Sequence, residues 1–191
     1  MLKSGDVMRK RFIRVILFIL LVLVLGYLVN LYFVEFTGAG KDTPEEALPT
    51  NQEYEWIKGP NTEKEQRYFF LSNGQNFGTT LVKKNVKGWS NEEGATAKVP
   101  KKLESNTIVS ALSDQKILFG LIKQKGTIDV NINGKPASLI GLSNLTEDVL
   151  DLYDVKGYSI WYIDLEQLED IESYSIQVLD EHKKVISELS I

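Results

Sequence analysis

The stretch Asp129-Val130-Asn131-Ile132-Asn133-Gly134 can be read in two ways, and the choice between them decides the fold. Acidic or amide residues at alternate positions followed by glycine open a calcium-binding loop, which needs a bidentate carboxylate at its twelfth position. That position is Ile140. Ile128, Val130 and Ile132 alternate with the polar residues instead, as in a strand with one buried face, and Asn133-Gly134 is a strong hairpin-turn signal. The stretch therefore reads as one arm of a β-hairpin.

The same grammar extends outward in both directions. Branched and aromatic runs bounded by Gly, Asn, Asp and Pro recur over 54–58, 66–72, 79–86, 96–100, 107–112, 117–123, 127–133, 135–142, 158–164, 174–179 and 184–191. No helix longer than two turns is expected among them. This density of short strands predicts a mainly β fold: a β-sandwich-like domain or a pair of small β lobes. The polar run Lys101–Asn106 is the expected boundary, dividing an N-terminal lobe, 54–105, from a C-terminal lobe, 106–191, with the strand count of an immunoglobulin-like or fibronectin-like sandwich.

In Tyr158-Ser159-Ile160-Trp161-Tyr162-Ile163, alternation puts Tyr158, Ile160 and Tyr162 on one face and Trp161 with Ile163 on the other. Both faces are apolar. The strand is then central to a sheet, or one face meets a partner, and Tyr158, Trp161 and Tyr162 are the candidate ligand or partner surface.

Upstream the pattern changes completely. Val15–Val34 is a run of twenty uncharged residues, sixteen of them Val, Ile, Leu or Phe. At about 1.5 Å rise per residue it spans roughly 30 Å, the thickness of a bilayer core. Residues 1–14 carry Lys3, Arg9, Lys10, Arg11 and Arg14 against Asp6, so this flank is +4 while the whole chain is -4. The rest of the chain is therefore -8, a balance that excludes a general nucleic-acid binder. A basic flank before an apolar span predicts a transmembrane signal-anchor over 15–36, its N-terminus inside and its C-terminal domain outside the cytoplasm. Thr37-Gly38-Ala39 offers small residues for a peptidase, but a secretory apolar core usually runs only about 7–15 residues, which favours an uncleaved anchor. Residues 37–53 read as a tether, with Thr43-Pro44-Glu45-Glu46 starting a short helix that Pro49 ends.

Signals for chemistry are sparse. The chain has no Cys and one His, so the usual zinc ligand sets, thiol catalysis and disulfides are excluded. His182 lies between two strands in Asp180-Glu181-His182-Lys183, a poor place to hold a base rigidly. The stretch 147–172 holds Glu147, Asp148, Asp151, Asp154, Asp164, Glu166, Glu169, Asp170 and Glu172 against Lys156. Paired carboxylates serve glycoside hydrolysis, although such runs also form solvated edges. No catalytic, cofactor or metal residues are assigned.

A resemblance accompanies these residues. Val130–Lys135, Gly157–Tyr162 and Val178-Leu179-Asp180 with Lys184-Val185-Ile186 make the tract 120–191 similar to the C-terminal portion of small uncharacterised exported or membrane-anchored proteins of Gram-positive bacteria. Upstream, Thr43–Ala47 shares in that similarity. The resemblance implies a surface β module and transfers no catalytic residue. The expected function is a single-pass, membrane-anchored binding or structural module of the cell envelope, its partners the lipid bilayer and an envelope protein or wall polymer. The alternatives are a surface hydrolase using carboxylates of 147–172, and a small accessory subunit of a larger membrane complex, suggested by the polar Asn30 within the span.

Overall fold

A computed structural model describes residues 4–30, 40–50, 53–92, 94–168 and 173–191. Thr37-Gly38-Ala39, the carboxylates of 169–172 and the side chain of Asn30 lie outside what is described.

Helix α1, Ser4–Asn30, contains one stretch, Arg11–Val29, apolar enough to cross a membrane, with mean hydropathy 2.9 and none of it buried by protein. A fully buried leucine-sized side chain gains about 1.5–3 kcal/mol over an exposed one, so the row of bare Leu, Val, Ile and Phe on α1 calls for a nonaqueous environment.

Among the described residues the remaining elements are mainly β and form three sheets. Sheet A contains β1 (Tyr54–Asn61), β2 (Glu65–Ser72), β3 (Asn76–Asn85), β4 (Gly88–Asn91) and β5 (Ala95–Lys98). Strands β4 and β5 share one edge of β3, and after β4 the Glu92 amide donates to the Leu81 carbonyl at 2.8 Å. Sheet B contains β6 (Leu112–Ser113), β7 (Ile117–Lys123), β10 (Ser138–Gly141) and β11 (Tyr158–Asp164), in the order β10-β11-β7-β6. Sheet C contains β8 (Asp129–Ile132), β9 (Lys135–Pro136), β12 (Ser175–Leu179) and β13 (Val185–Ser190), in the order β13-β12-β8-β9. All pairings between named strands are antiparallel.

Sheet B is the middle layer. Alternation turns Ile117, Phe119, Leu121, Tyr158 and Ile160 toward Phe69, Leu71 and Phe77 of sheet A. The intervening residues Leu118, Ile122, Trp161 and Ile163 meet Val130, Ile132, Ile176 and Val178 of sheet C. This explains the near-continuous apolar sequences of β7 and β11, which are buried on both faces over Ile117–Ile122 and Tyr158–Trp161. Trp161 is fully buried, and its cross-strand partner is Gly120, where a side chain would collide with the indole.

The Asn133-Gly134 turn has positive φ at both residues, 50° and 80°, as a two-residue hairpin turn requires. The Asn133 side-chain oxygen accepts from the Ser175 amide at 2.8 Å, tying the turn to β12. The segment read as one strand over 135–142 divides instead, β9 staying in sheet C and β10 entering sheet B. Pro136 has no amide to continue the ladder, and the Ala137 amide makes the last bond to sheet C, at 2.8 Å to the Val130 carbonyl. Over 107–112, only Leu112 joins a named strand. Helix α2, Glu147–Leu152, was not anticipated; it puts Leu150 into the A/B core, with Glu147 and Asp148 in its first turn.

Residues 43–48 form a hydrogen-bonded turn in place of the short helix expected to start at Thr43. The Glu46 amide donates to Thr43 Oγ1 at 3.3 Å, and the Ala47 and Leu48 amides bond Pro44 and Glu45 carbonyls. Leu48 packs with Tyr68 and Val82, flanked by Trp56 and Trp89, on the outer face of sheet A. Reciprocal bonds of 2.8 Å between Lys41 and Trp89 hold the start of this segment to β4.

Candidate functional site

Strand β2 alternates Glu65, Arg67, Phe69 and Leu71 toward sheet B. Phe69 and Leu71 enter the core, Arg67 falls at its margin and Glu65 at the rim. Opposite them, Asp114 in the β6–β7 turn accepts the Lys116 and Ile117 amides through Oδ1 at 3.1 and 3.0 Å. Its Oδ2 accepts from Arg67 Nη1, an ion pair only 4% and 5% exposed. Nη1 also reaches Thr79 Oγ1 at 3.3 Å, whose hydroxyl donates to the Tyr68 carbonyl at 2.9 Å. The pair joins sheets A and B at the margin of their shared core.

Around it lies a partly solvated rim. Lys116 Nζ meets Glu65 at 2.9 Å, and Lys83 meets Glu92 at 2.7 Å. The bond to Glu92 is the main cause raising the Lys83 pKa, against a smaller opposing effect of burial. Such half-exposed pairs contribute about 0–1 kcal/mol each. The rim borders two clefts. One, of about 250 Å³, is lined by Pro60, Thr62, Glu65, Arg67, Lys116, Asp164 and Glu166 among others. The second, of about 540 Å³, has Lys83, Glu92, Ser113 and Asp114 on its walls.

The aromatic residues singled out from the sequence lie elsewhere and do not converge. Tyr158, 4% exposed, faces sheet A, and burial is the main cause raising its pKa. Trp161 has no exposed surface and faces sheet C. Tyr162 is half-buried against Phe69, their ring centres 5.5 Å apart. Packing accounts for all three, so a ligand in this conformation meets nothing of Trp161.

The acidic stretch is dispersed. Glu147 and Asp151 both bind Lys156, at 2.8 and 2.9 Å, and these bonds raise the lysine pKa. Asp164 and Glu166 instead border the smaller cleft. His182 is 81% exposed in the β12–β13 turn. Asp129, the first position of the rejected calcium loop, pairs with Lys183 at 2.6 Å. Among the described residues no group of three or more His, Asp or Glu could hold a metal ion.

The Arg67–Asp114 clamp escaped the sequence reading because its members are 47 residues apart. One signal was present: Arg67 interrupts the apolar positions of a strand buried on both faces, and a buried arginine demands a partner. Compared with models of known families, with curated proteins and with solved structures, the chain matches none.

Proposed function

We propose that this chain is a single-pass membrane-anchored module that displays its three-layer β domain outside the cytoplasm, in the cell envelope, and acts there by binding. The observation that carries the reading is the wholly unburied apolar stretch Arg11–Val29 with the basic flank at its N-terminal side. The positive-inside rule then directs everything after the helix outward. The charged clefts at the A/B edge supply the concave surface a binding role needs.

Alkaline extraction followed by protease treatment of intact cells tests this. The full-length chain should stay in the membrane pellet, and protease added outside should digest the β domain. Release by alkali, or a β domain protected until lysis, would overturn the reading. The hydrolase alternative draws support from Asp164 and Glu166 bordering one cleft. Turnover of a labelled wall polysaccharide that is lost in Glu166→Gln would favour it; absence of turnover would retire it.

A further inference from the structure

We infer that the smaller cleft between sheets A and B is a binding site for a small amino-acid-type zwitterion, its carboxylate held by Arg67 and its ammonium by Asp164 and Glu166. This rests on the reading of the chain as a binding module and names the ligand class of its cleft. Arg67 is 4% exposed, yet only its Nη1 is engaged, by Asp114 and Thr79. Its Nε and Nη2 make no hydrogen bond among the described residues. Those two donors form the edge of a guanidinium that binds a carboxylate in parallel. Arg67 lines the smaller cleft and Asp114 does not, whereas Asp114 lines the larger one and Arg67 does not. The guanidinium therefore meets the smaller cleft with the edge that Asp114 leaves open.

Charge defines the rest of the ligand. The cleft walls carry Glu65, Asp164 and Glu166 against Arg67 and Lys116, and Asp114 already balances the arginine from behind. A bare anion would enter an acidic cavity and be repelled. A ligand with its own ammonium turns Asp164 and Glu166 from repulsive into attractive groups, and neither has a cationic partner among the described residues. A volume of about 250 Å³ lies below the roughly 300–1,000 Å³ of sites for drug-sized molecules, which suits a ligand of amino-acid size.

Full-length protein in phosphatidylcholine nanodiscs, titrated with L-alanine, D-alanine, acetate and ethylammonium by calorimetry and saturation-transfer NMR, tests the inference. At least one alanine enantiomer should bind saturably, with acetate and ethylammonium each about tenfold weaker or more. Asp164→Asn with Glu166→Gln, at two exposed positions, should weaken alanine about tenfold while leaving acetate unchanged or tighter, because the same change removes an attraction and a repulsion. Arg67→Lys keeps a charge for Asp114 but loses the fork, and should abolish alanine binding. If that variant misfolds, the exposed pair decides alone. No saturable alanine binding up to about 10 mM, acetate equal to alanine, or an unchanged alanine affinity in the Asp164/Glu166 variant would each overturn the site. Protease digestion in intact cells is independent of these titrations, so an outward domain that ignores alanine refutes the ligand and spares the anchored-module reading.

Discussion

Gly120→Ala should destabilise the β domain although glycine is a poor strand residue. A Cβ built at Gly120 would lie 2.7 Å from Trp161 Cζ2 and 2.8 Å from both Cε2 and Nε1. Carbon atoms in good contact sit about 3.5–4.0 Å apart, so the overlap is on the order of 1 Å. The indole cannot retreat, because Trp161 is 0% exposed, between β7 and the side chains of sheet C. Overpacking of this kind costs about 1–3 kcal/mol, while restricting the unfolded chain returns about 0.4–1, leaving a net loss of about 1.3 kcal/mol at the middle of both ranges. The control is Gly141→Ala in the same sheet. Its Cβ would meet nothing closer than 3.7 Å, and its φ of -70° suits any residue, so it should be neutral or slightly stabilising. Urea unfolding of the full-length protein followed by tryptophan fluorescence reads both. With a slope of about 2 kcal/mol/M, the midpoint should fall by about 0.5–1 M for Gly120→Ala and hold or rise for Gly141→Ala. Trp161→Phe, which shortens the ring system, should recover part of the loss, with a coupling of about 0.5 kcal/mol or more. Equal midpoints for the two alanine variants would refute the packing of indole over glycine, and with it the placing of sheet B in the middle.

Removing one side of the A/B clamp with Arg67→Met should cost about 3–5 kcal/mol, because Asp114 is left buried and unpaired; a urea midpoint within error of the parent would contradict this. Leu48→Ala should loosen the 41–48 segment by about 2 kcal/mol and open trypsin cleavage after Lys41, with little change in global unfolding. Acid should act on the same segment. The hydrogen bond from Lys58 is the main cause lowering the Glu45 pKa from its ordinary 4.5, so this pair stabilises the segment above pH 4.5, and the contribution is lost as pH falls through the lowered folded value. Glu45 and Lys58 are well exposed, so the effect is small; the protection of amides 41–48 against hydrogen exchange, taken relative to the intrinsic rate at each pH, should fall in acid in the parent and vary less with pH in Glu45→Gln.

Local physics made much of this architecture legible. The 129–134 stretch is a hairpin because alternation and Asn-Gly specify one without help from the rest of the chain. Two apolar faces on Tyr158–Asp164 announced a central strand. What remained hidden depends on distant partners. Pro136 was visible, but not that Ala137 would begin a change of sheet. Gly88–Asn91 is a strand because it pairs with the end of β3, although its own sequence, GWSN, carries little strand preference. Tyr158, Trp161 and Tyr162 drew attention as large aromatics, and sequence could not say that sheets A and C would cover them from opposite sides. The cleft beside Arg67 needs β2, the β6–β7 turn and the end of β11 together, and no single stretch encodes that meeting.

The absence of cysteine makes the placing of the domain directly measurable. Single cysteines introduced as Glu181→Cys, at the exposed β12–β13 turn, and as Ser4→Cys, before the apolar span, can be labelled with a membrane-impermeant maleimide. In intact cells Glu181→Cys should label and Ser4→Cys should label only after lysis. The reverse pattern, or equal labelling of both before lysis, would contradict an outward-facing, membrane-anchored β domain.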